Sequence, residues 1–343
     1  MRTSLVYGAG LVCGFLAIAG VWLGLLVASF GYYETYGDRD VGSWYQVKTD
    51  AARARLGHPK IVLTGGSNVL YGLDAAALER QLGVPCVNYG THAAMPLDYM
   101  LDRWKRVVSP GDLLVISPEW AYLKRDTGEM NDVFTGYMLA DDPAYFWKLS
   151  WSDQVQILLT SSFRRLMMPV FASFRENQRE QDARRELISR CYLDENGDYI
   201  ANLPERSDTK GLAKLLEQNT LFSTRRFEKA GFETAYWRQL GKFANGMKRR
   251  GILVVDASPS LLAIPDIRAG KFDKFFSATE AHYRALGIPV LTTQEQNIYP
   301  PELMFDSIYH LNAKGRAQRT AQLAAALAPL VKERFPHAAP PAR

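Results

Sequence analysis

Cysteine is scarce, with three residues in a chain of 343, and Cys13 lies inside an apolar N-terminal stretch. A disulfide-built scaffold is thereby excluded, and no CxxC or Cys/His spacing points to a metal site. Cys86 and Cys191 are the one pair open to a bridge outside the cytoplasm, but the apolar run Val84–Asn88 around Cys86 favours a free buried thiol. Charge of either sign is also never concentrated: 41 Lys and Arg against 36 Asp and Glu leave a net +5, with no basic run long enough for nucleic-acid binding. Neither a phosphate-binding P-loop nor a dinucleotide fingerprint occurs, and no cofactor is expected. The Gly-x-Ser-x-Gly elbow is absent as well, because Val69 stands where its last glycine belongs.

The longest absence of charge runs from Arg2 to Glu34. Its apolar core, Leu5 to Phe30, exceeds the roughly 20 residues that cross a bilayer as helix. A secretory leader would be shorter in its apolar part and would end in a small-residue cleavage site, which Val27-Ala28-Ser29 approximates poorly. The segment therefore reads as an uncleaved signal anchor. Arg2 precedes it and the mostly acidic Glu34, Asp38, Arg39 and Asp40 follow, so the positive-inside rule puts the N-terminus in the cytoplasm and the rest outside. Single-pass attachment to the inner (plasma) membrane, with Tyr32, Tyr33 and Tyr36 at the outer interface, is the expected topology.

The hydrophobic pattern predicts an anchor over 1–33, a juxtamembrane linker over 34–57, one α/β domain over 58–335 and a tail over 336–343. Within the domain, buried strands at Lys60–Thr64, Val84–Asn88, Leu113–Ile116, Ile252–Val255 and Ile288–Leu291 alternate with helical stretches. That order implies a flavodoxin-like parallel sheet covered by helices on both faces. Between about 121 and 230 the alternation stops, and an insertion rich in aromatic and Arg residues takes over. Its stretch Gln156–Arg175 reads as a core-facing helix interrupted at Pro169, or else as a segment resting on the membrane surface. Tyr192–Tyr199 reads as a hairpin with a type I′ turn at Asn196-Gly197, in which Asp194 and Asp198 are turn residues, not calcium ligands.

Two segments carry chemistry. Leu63-Thr-Gly-Gly-Ser-Asn68 follows the first strand, which puts Ser67 at the carboxyl rim where open α/β sheets hold ligands. Phe305–Gly315, just before the last helix, holds Asp306 and His310 four residues apart. A serine becomes a useful nucleophile when an imidazole takes its proton, and a carboxylate fixes that imidazole's tautomer. Of the other histidines, His58, His282 and His337 read as surface residues, and His92, after the second strand, is the rival base.

Gly65-Gly66-Ser67 and Asp306 with His310 together resemble the SGNH-hydrolase superfamily over about residues 58–120 and 250–335. The resemblance implies Ser67 as nucleophile, His310 as base and Asp306 as its orienting group, with the amides of Ser67 and Gly90 forming an oxyanion hole. The family's Gly-x-Asn-Asp block is missing. Ile116-Ser-Pro-Glu-Trp120 replaces it, which makes Glu119 and Trp120, with Asn68, the expected substrate-binding residues. Three residues separate Asp306 from His310 where the family commonly has two. The anchor, the Ile-Ser-Pro-x-Trp segment and the Tyr-His-Leu-Asn ending are similar to the D-alanyl-lipoteichoic-acid transfer family and to membrane-bound partners of polysaccharide O-acetyltransferases.

The resemblance implies a serine acyltransferase or esterase working on O-acyl groups of a cell-envelope glycopolymer, beside a multi-span membrane protein that donates the acyl group. The competing expectation is a non-catalytic assembly or polymer-binding partner of such a membrane acyltransferase. A lipid-directed esterase is a third.

Overall fold

The computed structural model describes residues 2–32, 36–120, 122, 131–163, 165–167, 192–219 and 234–336. Cys191, His337, Tyr33 and the stretch around Pro169 lie outside them. The chain divides into two units, one made of residues 1–43 and 130–187 and one of residues 44–129 and 188–343.

The first unit begins with α1 (Arg2–Ala28). Its apolar part, Val6–Ala28, is long and apolar enough to cross a membrane, and the side chains along it are almost all exposed. Only its last turns are covered: Leu26 is buried, and the indole of Trp22 donates to the Leu158 carbonyl at 3.0 Å. After the first residues of α2 (Tyr36–Ala54), the unit continues with α6 (Asp132–Asp141), α7 (Pro143–Phe146) and α8 (Trp151–Thr160). Asn131 and Ser150 cap α6 and α8 by accepting from backbone amides three residues on. Gly31 N–H donates to Leu139 O at 3.1 Å, and Phe30 meets Phe146 edge to face at 5.8 Å.

The second unit carries the sheet. Its strands are β1 (Ile61–Gly65), β2 (Cys86–Asn88), β3 (Leu113–Ser117), β4 (Leu253–Ala257) and β6 (Val290–Thr292), with a separate pair β5 (Leu261–Leu262) and β7 (Ile298–Tyr299). The sheet order is β2-β1-β3-β4-β6, and all four pairings are parallel. Its helices are α3 (Ser67–Gly72), α4 (Ala75–Leu82), α5 (Leu97–Val107), α9 (Thr209–Gln218), α10 (Ala235–Arg249), α11 (Pro265–Arg268), α12 (Asp273–Ala285) and α13 (Ala313–Arg334).

Strand alternation decides which side chains meet which helices. Ile61, Leu63, Leu113, Val115 and Val255 share one core with Leu78 of α4 and Leu323, Leu327 and Val331 of α13. Pro96 is the N-cap of α5, where its missing N–H is harmless, and Trp104 of α5 packs edge to face on Phe243 of α10 at 6.1 Å. At the amino edge of the sheet, Lys60 Nζ and Asp112 Oδ2 form a fully buried ion pair at 2.7 Å, joined by the Lys60 amide on Asp112 Oδ1.

The expected linker over 34–57 differs from what is found, because most of it is the helix α2. Residues 192–219 of the expected insertion group with the sheet unit. The hairpin's turn is of another type than Asn196-Gly197 suggested. Gly197 N–H donates to Asp194 O and Asp194 N–H to Asp198 O, and Gly197 alone has positive φ (+81°). This is a type I turn over Glu195-Asn196 followed by a glycine bulge. A side chain at position 197 would also run into the Asn88 carbonyl, at 2.7 Å.

Candidate active site

In a sheet of this order the connections run in opposite directions from β1 and β3, and a crevice opens between their carboxyl ends. The segments leaving those two strands are Gly66-Ser67 and Pro118-Glu119. Gly65 is required there by space, and a side chain at Gly66 would displace the Glu119 carboxylate. A Cβ on Gly65 would lie 2.4 Å from Ser117 O, and one on Gly66 would lie 2.5 Å from the Glu119 carboxylate.

Ser67 opens α3 and is 9% exposed. Glu119 fixes the turn on which it sits: Oε2 accepts from Gly66 N–H at 3.2 Å and Oε1 from Asn68 N–H at 2.8 Å. Both amides flanking Ser67 are thus consumed, while the Ser67 N–H and Oγ have no protein partner among the described residues. A carboxylate at the first turn also complements the positive end of the helix.

His310 is held by its own loop. Met304 and Leu311 form an antiparallel bridge, Phe305 N–H donates to His310 O, and Ser307 Oγ accepts from the amides of Tyr309 and His310. This closed loop brings Asp306 Oδ1 to 2.6 Å from His310 Nδ1, so the four-residue spacing gives direct contact. With Nδ1 so engaged, Nε2 is the nitrogen left to exchange a proton. The imidazole lies flat on Tyr71, centroids 4.2 Å apart and planes at 15°. Tyr71 is one helical turn along α3 from Ser67, on the same face. Among the described residues no hydrogen bond joins Ser67 Oγ to His310.

The other expected site residues serve as support. Asn68 is completely buried, its Nδ2 donating to Ser117 O at 2.7 Å and its Oδ1 accepting from Ser117 Oγ and Arg319. Glu119 is 1% exposed and spent on the Ser67 turn, and Trp120 is 3% exposed, donating to Gln294 Oε1 at 2.9 Å and packed on Phe275 and Phe276. None of the three presents a free polar atom to a substrate. The structure also differs on Gly90, whose N–H donates to Asn88 Oδ1 at 3.0 Å and so is not free for an oxyanion. Gly90 is required for close packing instead, since a Cβ there would lie 2.6 Å from Leu70 N and from Val69 Cβ. His92 Nδ1 accepts from Ala94 N–H within its own turn.

Two buried cations carry no signal in the sequence. Arg319 of α13 is 2% exposed and ties four chain segments together at the carboxyl rim. It donates to Asn68 O and Oδ1, to Ser117 Oγ, to Ser258 O and to Asn297 Oδ1 at 2.9–3.2 Å. Burial lowers its pKa to about 10, opposed by Tyr299, Glu119 and Asp256. Lys48 of α2 is fully buried, with Nζ donating to Asn88 O at 2.9 Å, to Asn88 Oδ1 and to Gly197 O. Burial pushes its pKa down to about 7 against the pull of Asp198 and Asp194. Asp198 accepts from the first amides of α4, Ala75 and Ala76, and from Asn88 Nδ2, and burial raises its pKa to about 6. A lone Lys or Arg in an amphipathic helix carries no mark in the sequence that it will be buried.

Cys86 is a buried thiol whose Sγ donates to Val84 O, and burial raises its pKa. A nucleophilic cysteine would need the opposite shift.

No protein-family model matches the chain. No curated protein matches it either. Among solved structures the chain is similar to the C-terminal domain of glucosamine-fructose-6-phosphate aminotransferase from Francisella tularensis, at 10% identity over 88% of this chain and 97% of that one. The TM-score is 0.15, and a likeness at that level carries no argument about fold or function.

Proposed function

We propose that the chain is a membrane-anchored, extracytoplasmic serine acyltransferase or esterase of the SGNH type, acting on O-acyl groups of a cell-envelope glycopolymer. The observation that carries the reading is the Asp306–His310 contact at 2.6 Å, with the imidazole stacked one helical turn from Ser67. Ser67 Oγ attacks the acyl carbonyl while His310 Nε2 takes its proton. The tetrahedral intermediate collapses, the C–O or C–S bond to the donor breaks, and His310 returns the proton to the leaving group. The acyl-serine is then attacked by a polymer hydroxyl or by water, with the same imidazole as base. Ser67 N–H, left free by Glu119, is the amide best placed for the oxyanion; one such donor is typically worth about 3–4 kcal/mol when removed. Gly90 N–H joins it only if Asn88 Oδ1 lets go.

Attachment through α1 is supported by the packing of its last turns. Leu26 is buried, Ser29 is buried with Oγ on Leu26 O, and Gly31 is bonded to Leu139, so cleavage near Ala28 would remove part of the first unit's core. A single-pass anchor keeps the enzyme beside a multi-span acyl donor in the same membrane.

Complementation of a deletion strain tests the reading. Wild type should restore ester-linked acyl groups on envelope polymers, and Ser67→Ala and His310→Ala should not, at equal protein levels. Full acylation with both variants would make the protein a non-catalytic assembly partner, the reading favoured by the missing Ser67–His310 hydrogen bond.

A further inference from the structure

We infer that α8 is embedded in the outer face of the bilayer beside α1, so that the protein holds the membrane by a helix lying in the interface as well as by its anchor. The inference rests on reading α1 as a span. Within the first unit the Leu158 carbonyl accepts from the indole of Trp22, which fixes α8 against the flank of α1. Trp22 precedes the end of α1 at Ala28 by about 9 Å at 1.5 Å rise per residue. A helix in the interfacial plane buries its apolar face by about 5–10 Å, so the contact sets α8 at that depth.

The side chains of α8 fit this placement. Ile157 faces the unit's own core, at 1% exposure, while Trp151 is 79% exposed and Leu159 77%. Trp151, Val155 and Leu159 follow one another at four-residue spacing and form one stripe on the helix. Phe163, beyond the C-cap, continues the apolar surface at 67% exposure, and Trp147, before the N-cap, is 54% exposed. Leu159 follows Leu158, whose carbonyl meets Trp22, and on α1 Phe15, Ile18 and Val21 are all more than half exposed. Exposed apolar side chains thus stand on both of the helices that this contact joins, and exposed Trp is the residue type that settles at the bilayer interface. Arg165, buried at the end of this segment, donates to Tyr32 O at 3.2 Å and fastens it to the chain leaving α1. The occupant these side chains select is lipid.

The full-length chain, reconstituted in phosphatidylcholine vesicles carrying a diazirine on the acyl chain, is illuminated and its adducts mapped by mass spectrometry. Adducts are expected in Val6–Ala28 and also in Trp151–Phe163, with none in the buried strand β1. Adducts in α1 alone would overturn the inference and leave the span intact. Adducts in neither would remove the span as well. A Trp151–Phe163 segment unlabelled by lipid but cross-linked to a protein in native membranes would make this face a protein-docking surface, which also overturns it.

Discussion

The imidazole of His310 lies parallel to the ring of Tyr71, 4.2 Å away, and Tyr71 shares its short helix with Ser67. The proposed base is therefore positioned against the element that begins at the proposed nucleophile. Tyr71 stacks in turn on Phe305 and packs against Tyr199. Tyr71→Phe keeps the ring and should leave acyl turnover near wild type. Tyr71→Ala frees the imidazole and should lower kcat on the order of 100-fold, since a displacement of about 1 Å can cost that much. Turnover of a p-nitrophenyl acyl ester by both variants, with circular dichroism confirming the fold, checks this.

Asp306→Asn replaces the acceptor on His310 Nδ1 with an amide that can present the wrong group. Turnover should fall by about 10²- to 10⁴-fold with little change in KM. Asp306 is partly solvent-exposed, so thermal stability should barely change. Loss of folding in Asp306→Asn would show that the carboxylate is structural.

Much of the frame was readable because it depends on local pattern. The charge-free run became α1, and four of the five predicted strands overlap β1 to β4 with ends off by one or two residues. The fifth overlaps β6 at Val290 and Leu291. The resemblance implies the orienting role of Asp306, but the spacing leaves open whether it touches His310; the 2.6 Å contact depends on a loop closed by backbone bonds that no spacing rule encodes. Asn68, Glu119 and Trp120 differ from expectation for one reason: position after a strand places a residue at the rim, but burial decides whether it faces ligand or scaffold; Gly90 differs because Asn88 Oδ1 takes its amide. Asn68 and Glu119 turned inward because the backbone amides and carbonyls at the ends of β1 and β3 needed partners.

Arg319→Met should be among the most damaging substitutions away from the nucleophile. It strips hydrogen bonds from Asn68, Ser117, Ser258 and Asn297 at once and removes the cation near Glu119. Each buried acceptor left without its donor costs about 1–3 kcal/mol. Urea denaturation of the detergent-solubilised protein should show the midpoint falling accordingly; an unchanged midpoint would contradict the role assigned to Arg319.

Gly90→Ala places a Cβ against the backbone at Leu70, where no flexible side chain can yield. Overpacking of this kind costs about 1–3 kcal/mol, and the strain falls on α3. Both melting temperature and turnover should drop.

Lys48 gives the stability a pH dependence of known sign. Unfolded, the amine holds its proton up to about 10.5, whereas burial lets it go near 7 in the folded chain. Between those values the unfolded state binds more protons, so Lys48 makes stability rise with pH by up to about 1.4 kcal/mol per unit. Below pH 7 both states are protonated and its contribution is flat. Lys48→Met should remove the rise above pH 7, measured by denaturation midpoints from pH 6 to 9.5.

Ser67 as a nucleophile activated by His310 is tested most directly by covalent labelling. Purified full-length protein is treated with a fluorophosphonate, and the adduct is located by peptide mass spectrometry. A single adduct on Ser67, abolished in Ser67→Ala and strongly slowed in His310→Ala, is the predicted result. Folded wild-type protein that stays unlabelled, or labels equally fast without His310, would contradict it.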